Sequence, residues 1–386
     1  MVEYIKDQYY FYFDIGGDCH SQEGGGQLTS FVFEENAGGG LPMFEMSFTT
    51  RYMDILQKIN EGSKINVVYG PKKEEVDTMV FTIQKYTIQP YGKDLLSIAL
   101  SGFIHNEPSK WLTDTKVEYW DDNSIEVLKK ISGNGCVAAK VQTPIVPGDK
   151  MVWIRHNTPN VKIFQDVWQH SWISDKNFFI YGINRHNQMV IDDYINAISK
   201  PPKWNINHTD KSDSHPYANY MHRSNFGLLN NISGYKKKRW EHNVEDGSFK
   251  ETTTPDKKVL LSSSSKLNIT SNEPNHQRKM VSENENHHKN YWTAYFNNYS
   301  KTAIYSSSEV IVHLDHKYKP YELFDTVEYT DLPILDVNTH KQDRIQANLS
   351  GIFIITGISH YINNKTYGCT LKLTRETLNN QVGNLI

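Results

Sequence analysis

The chain has 386 residues and a formal net charge of −3. At roughly 100–200 residues per domain this length predicts two to four domains, large enough to bury their apolar surface without disulfides or metals. A hydrophobic fraction of 38% excludes wholesale disorder, and the near-neutral balance argues against bulk nucleic-acid binding.

Cys19, Cys136 and Cys369 are far apart and odd in number, so they read as free thiols in a chain assembled in a reducing cytoplasm. The first thirteen residues mix charged and aromatic side chains and do not read as a signal peptide. No run of about 18 apolar residues occurs, so no membrane insertion is expected.

In chain order, Phe11–Ile15 opens a strand, and the triplets Gly24–Gly26 and Gly38–Gly40 punctuate loops. Phe44–Phe48 alternates apolar and polar, as a half-buried strand does. Tyr52, Ile55, Leu56 and Ile59 fall at helical spacing before Gly62. Ile65–Tyr69 is a further strand, and Val80–Ile88 and Leu95–Phe103 pair across a turn at Gln89–Gly92.

Past residue 115 the period changes. Asn123 caps a helix carrying Ile125, Leu128 and Ile131, with Glu126 placed for a capping box and Gly133 and Gly135 as stops. Thr158–Pro159 opens a second helix with proline at its first position, and Phe164, Trp168 and Trp172 fill a core. Phe178–Tyr181 and Met189–Ile191 make a hairpin across Asn184–Asn187. From Lys200 to about Ser300 the chain reads as polar and irregular, with Pro201–Pro202 as a boundary and the serine run Ser262–Ser265 inside a candidate strand. Val310–Leu314, Ile352–Ile355 and Tyr367–Leu373 return to strand, the last two joined by a turn at Asn363–Asn364.

No chemistry-bearing pattern stands out. His313, Asp315 and His316, and the pair His287–His288, lack the spacing of a metal site, and no Cys-x-x-Cys or His-Glu-x-x-His occurs. The neighbouring carboxylates Asp192–Asp193, Glu34–Glu35 and Asp121–Asp122 should diverge rather than face each other across a cleft. Cys136 has no evident base, and no Gly-x-Ser-x-Gly elbow occurs. The glycine triplets lack the Lys-Ser/Thr of a phosphate loop, and Lys236–Arg239 before Trp240 reads as a solvated basic loop. The expected assignment is no catalytic residue, no cofactor and no metal.

Pro320–Val327, Ile352–Ile355, Ile358–His360 and Tyr367–Leu373 resemble the ending shared by tail hub proteins related to VgrG. The order of elements is similar to that of the baseplate hub of contractile-tailed phages: strands with one helix between them, a pair ending near Ser101–His105, an α+β insertion, then a second β region. The resemblance implies an α+β, predominantly β fold with two tail-tube-like β-barrel domains. These are residues 1–112 and 305–386, with an α+β domain at 113–200. An irregular segment at 201–304 would contribute in part to the second barrel.

It further implies a homotrimeric ring in the virion tail baseplate, assembled in the host cytoplasm. The ring would adapt a sixfold tail tube to a threefold central spike, with the tube protein, the spike and other baseplate proteins as partners. DNA would pass through the channel without specific binding. On the same resemblance, Phe44–Phe48, Val80–Ile88, Leu95–Phe103, Val310–Leu314 and Ile352–Leu373 are expected to carry subunit pairing. A tail-associated peptidoglycan hydrolase, a receptor- or carbohydrate-binding tail module and a secretion-system spike component are the competing readings.

Overall fold

A computed structural model describes residues 10–16, 18–21, 26–51, 53–72, 75–92, 94–104, 108–174, 177–207, 215–216, 219–224, 237–242, 246–254, 279–282, 287–305, 308–315, 318–330, 350–363 and 366–375. Tyr52, Gly24, Gly25, Lys236, Ser262–Ser265, His316 and Asn364 lie outside them, as does the side chain of Cys19. The fold is predominantly β, of the α+β class.

The first half supplies β1 (Tyr10–Ile15), β2 (Asp18–Ser21), β3 (Gly26–Asn36), β4 (Met43–Thr50), β5 (Lys64–Lys72), β6 (Glu75–Pro90) and β7 (Leu96–Ile104). They form one antiparallel sheet in the order β2-β1-β5-β6-β7-β4-β3. The sheet curls until β1 lies over β3 and β4: Phe11 meets Phe31 with ring centroids 5.1 Å apart, and Phe13 meets Phe48 at 5.0 Å. Alternation builds this core. Phe44, Met46 and Phe48 point inward, while Met43, Glu45, Ser47 and Thr49 point out.

The helix expected from Tyr52 is shorter than its spacing suggests, a 3-10 turn at Met53–Gln57. One turn already brings both Ile55 and Ile59 into the core, and the amide of Ile59 donates to the carbonyl of Ile55 at 3.1 Å. The strand β3, which carries no assignment in the sequence reading, lies between β4 and the second half of the molecule.

The second half mirrors this arrangement. It uses β13 (Trp204–Asn207), β14 (His215–Pro216), β15 (Asn219–Ser224), β19 (Ser308–Asp315), β20 (Thr326–Thr330), β21 (Gly351–Asn363) and β22 (Thr366–Arg375). Their order is β14-β13-β20-β21-β22-β19-β15, and Tyr220 of β15 meets Tyr329 of β20 at 6.2 Å.

The two halves are one hydrogen-bonded sheet of fourteen strands because β21 changes partner. Gly351–Ile354 pairs with β20, a bulge interrupts the ladder at Thr356, and Gly357–Asn363 pairs with β3. A bulge bends and twists a strand, and here it hands β21 from one half to the other.

Between the halves sits an α+β unit. It contains α1 (Pro108–Leu112), β8 (Thr115–Asp122), α2 (Ser124–Asn134), β9 (Ala138–Val141), β10 (Met151–Pro159), α3 (Asn160–His170), β11 (Phe179–Ile183), β12 (Gln188–Asp193) and α4 (Tyr194–Ser199). Sheets β11-β12-β9 and β10-β8 enclose a core of Trp111, Ile125, Leu128, Ile131, Phe164 and Val167. The Asn123 side chain accepts from the amide of Glu126 at 3.1 Å, so the expected cap forms. The reciprocal half of the box does not, because Glu126 pairs with Lys129 at 2.6 Å and the amide of Asn123 donates to Asp122. Asn123→Ala is expected to cost about 1 kcal/mol in urea unfolding, and Asn123→Asp to restore it. Pro159 closes β10 and stands at the cap of α3 rather than inside it, and Trp172 lies beyond the helix.

The segment read as irregular carries elements. Besides β13–β15 it holds β16 (Lys237–His242), β17 (Phe249–Thr254) and β18 (Lys279–Ser282), which form a small separate sheet, and the helix α5 (Tyr291–Tyr305). The basic run expected as a loop thus enters strand β16 at Lys237.

Helix α5 escaped notice because the face it buries is polar. Asn298 donates from Nδ2 to the carbonyls of Gln169 and Ser171 at 3.1 and 2.8 Å, and Lys301 donates from Nζ to those of Ser174 and Asn177 at 3.0 and 2.8 Å. These carbonyls end or follow α3, where a helix leaves acceptors unfilled.

Candidate functional site: the outer face of the joint sheet

Eight strands run without interruption through both halves, in the order β6-β7-β4-β3-β21-β22-β19-β15. Their inner faces form the shared apolar core. Their outer faces carry Lys85 and Thr87; Ala99 and Ser101; Glu45 and Ser47; Ser30 and Glu34; Ser359 and Tyr361; Thr370 and Lys372; Glu309 and His313; and Asn219 and Arg223. The same registers put Val32, Met43, Ile311 and Met221 on this face, so it is mostly polar with scattered apolar side chains.

Two of its cations pair across strands with one carboxylate. Lys372 lies 2.9 Å from Glu309 and Arg223 lies 3.6 Å from the same carboxylate. Ser30 and Ser47 share a hydrogen bond of 2.6 Å, and His313 Nδ1 bonds the Thr370 hydroxyl at 2.9 Å. Among the described outer side chains of these strands, the carboxylates Glu34, Glu45 and Glu309 stand against the cations Lys85, Lys372 and Arg223. The ring of Tyr361 lies over Gly368, where a Cβ would collide with it.

The subunit-pairing strands expected from the resemblance are mostly internal. β4, β7, β19, β21 and β22 are paired on both sides, so their backbone groups are already used. Among the described strands, unpaired edge remains at the two ends of the eight-strand run. β5 pairs with β6 only as far as Thr82, and a bulge then re-aims β6 so that Lys85–Pro90 meets β7 alone. At the other end, β15 pairs only with β19 among the described strands.

Behind the junction of β3 and β21 lies a buried polar cluster. Alternation sends Glu34 to the outer face and Glu35 inward, where it is 1% exposed. Arg185, in the turn between β11 and β12, donates its amide to Glu35 Oε2 at 2.8 Å and its guanidinium to Oε1 at 3.3 Å. The guanidinium also stands 3.5 Å from Asp77 of β6 and 3.5 Å from His360 Nε2 of β21. His360 Nδ1 bonds the Tyr367 hydroxyl at 2.7 Å, and Tyr318 donates to Asp77.

Burial pushes the Glu35 carboxyl up to about 7, with Arg185 pulling it back. Burial and the nearby Arg185 charge hold His360 well below its ordinary 6.5. Glu35 therefore contributes stability that is full below 4.5 and lost as pH rises through 7. The His360 contribution is full above 6.5 and lost as pH falls below it. Urea unfolding between pH 4.5 and 8 is expected to show opposite changes of slope: Glu35→Gln should remove the alkaline loss and His360→Gln the acid loss.

The other singled-out residues do not assemble into a catalytic frame. Asp192 takes Lys200 at 2.5 Å, while Asp193 caps α4 through the amide of Asn196. Asp121 and Asp122 pair with different lysines, Lys150 and Lys130. His287 stacks on Tyr291 and His288 bonds the carbonyl of His170. Cys369 is fully buried, and burial raises its thiol. Thiol labelling of the native protein at pH 8 is expected to spare Cys369 until denaturant is added. Among the described residues no group of three or more His, Cys, Asp or Glu could hold a metal ion, and no helix is long and apolar enough to cross a membrane.

No family model matches the chain, and no curated protein matches it in sequence. Solved structures do match. A tail protein from Neisseria meningitidis MC58 shares 11% identity over 96% of this chain and 97% of that one, with a TM-score of 0.57. The 43 kDa tail protein of prophage MuSo2 from Shewanella oneidensis shares 12% identity over 95% and 98%, with a TM-score of 0.58. The E. coli c3393 protein is a type VI secretion system component with structural similarity to the T4 bacteriophage tail proteins gp27 and gp5. It shares 6% identity over 94% and 76%, with a TM-score of 0.50. At these identities the likeness is one of fold. The chain has the phage-tail-protein fold, the one implied by its closing motifs.

Proposed function

We propose that this chain is a structural phage tail protein, the hub of a contractile-tail baseplate, working as a homotrimeric ring around the DNA passage. The observation that carries the reading is the eight-strand run with a mostly polar outer face and, among the described strands, an unpaired edge at each end. A chain with two different open edges associates head to tail and closes into a ring when the rotation allows. Closure would pair Lys85–Pro90 of one copy with β15 of the next and leave neither edge exposed.

Three copies give a barrel of three times eight strands. With strands about 4.8 Å apart and tilted about 40°, its backbone diameter is roughly 48 Å. Side chains about 5 Å deep on each side leave a lumen near 40 Å, wide enough for a duplex. Balanced charges on that lumen would not retain phosphates, in keeping with passage rather than binding.

Each chain contributes two similar curled sheets, so a ring of three presents six repeats to a sixfold tube and threefold symmetry to a spike. In this reading residues 1–112 form the first tube-like unit, and the second draws β13–β15 into residues 305–386. The work is binding rather than catalysis, in a virion tail built in the host cytoplasm.

Sedimentation of the purified chain tests the ring directly, with a mass of three chains expected. Of the two single variants Tyr86→Pro and Thr87→Pro, the one whose N–H points away from β7 should leave folded monomers, since neighbouring strand N–H groups point to opposite sides and proline cannot donate to a ladder. Equal trimer formation by this variant would contradict the edge assignment.

A further inference from the structure

The angle between the two curled sheets is held by less hydrogen bonding than either sheet holds within itself. The seam between them is a single strand pair, Ser30–Asn36 of β3 against Gly357–Asn363 of β21. Neighbouring strands adopt relative twists anywhere from about 10° to 35°, so the backbone bonds of the seam leave the angle soft, and the shared apolar core and the side chains behind the seam must fix it. A closed ring needs a fixed angle, because a rotation that does not close gives an open filament. Part of the rotation between successive repeats is set inside each chain, at this seam.

One side chain reaches every wall of the seam. Arg185 is 4% exposed and comes from the α+β unit. It binds Glu35 on β3 through both its amide and its guanidinium. It approaches Asp77 on β6 of the first sheet and His360 on β21 of the second. The hairpin that carries it is wedged in place. The amide of Gly38 donates to the carbonyl of Tyr181 at 2.7 Å, and a Cβ on Gly182 would sit 2.9 Å from the Leu323 side chain. Tyr318 adds a hydrogen bond from the second half to Asp77.

We propose that Arg185 is a positioning residue that clamps the angle between the two curled sheets and so sets whether successive chains close into a ring. The proposal rests on the ring reading above for its consequence, but the clamp itself is a property of the single chain. A guanidinium suits this place because its planar fork donates in several directions at once, which a lysine ammonium at the same point would not reproduce.

The test compares the full-length wild type with Arg185→Met, Glu35→Gln and Val167→Ala, the last a cavity in the core of the α+β unit. Thermal unfolding establishes that each is folded. Mass photometry across concentrations gives trimer formation, and hydrogen exchange reads the β3–β21 amides against those of β4–β7.

The expected result is at least tenfold weaker trimer formation for Arg185→Met and Glu35→Gln, with faster exchange confined to the seam. Val167→Ala should lower the melting temperature and leave both readouts at wild-type values. Wild-type seam exchange and wild-type trimers in the Arg185 and Glu35 variants would overturn the clamp. If Arg185→Met does not fold, Glu35→Gln decides alone. A wild-type chain that never trimerises overturns the ring reading instead, and seam exchange then still judges the clamp.

Discussion

Trp111→Ala is expected to destabilise the α+β unit by about 3–5 kcal/mol, the largest effect of any single truncation in that unit. Trp111 is fully buried at the meeting point of three helices and a loop. Its ring meets Phe164 of α3 with centroids 5.7 Å apart, and its indole nitrogen donates to the carbonyl of Gly39 at 2.9 Å. The end of α2 fits against it so closely that a Cβ on Gly135 would stand 2.5 Å from the ring. Truncation thus opens a cavity and leaves the Gly39 carbonyl without its donor. Urea unfolding should show a lower midpoint at unchanged slope. Tyr119→Ala, at a ring 78% exposed on β8, should stay within about 0.5 kcal/mol. Equal effects from the two would contradict the packing described.

If the proposed ring forms, Glu34→Lys with Glu45→Lys is expected to make its lumen grip DNA. Both carboxylates are exposed on the outer face, so neither substitution disturbs the core. Each chain gains four units of positive charge, two at each site, and a ring of three gains twelve. A lumen making about 6–10 phosphate contacts would bind DNA with an affinity that falls by roughly 10³–10⁵ between 50 and 200 mM salt. The wild type is expected to show no such binding. Fluorescence anisotropy of a labelled duplex over a salt series measures both. DNA binding by the wild type with the same salt dependence would contradict the assignment of this face to the lumen.

Much of the fold was legible where burial follows alternation. Phe44–Phe48 and Tyr367–Leu373 announce themselves because each buries alternate apolar side chains. Helix α2 was legible from Asn123 and its apolar spacing. β3 was hidden by its inward Glu35, which breaks the pattern at the point where the strand meets Arg185. Helix α5 was hidden because Asn298 and Lys301 are buried for their hydrogen bonds.

The candidate site was less legible still. Glu34 and Glu35 read as a carboxylate pair, but one belongs to the outer face and the other to the seam, 150 residues in sequence from its partner Arg185. No local pattern encodes a contact at that separation. The same limit explains the misplaced subunit edges: a strand's pattern shows which side chains are buried, not whether a neighbour already occupies its backbone. Only the topology separates Lys85–Pro90 and β15, which remain open among the described strands, from the internal strands between them.

Electron microscopy of the purified chain at high concentration weighs the proposal most directly. The expected image is a ring of three with an open centre lined by the face bearing Glu45, Lys85 and Lys372, each β15 seated against the Lys85–Pro90 edge of its neighbour. A ring lined by any other face, or single chains at every concentration, would contradict it.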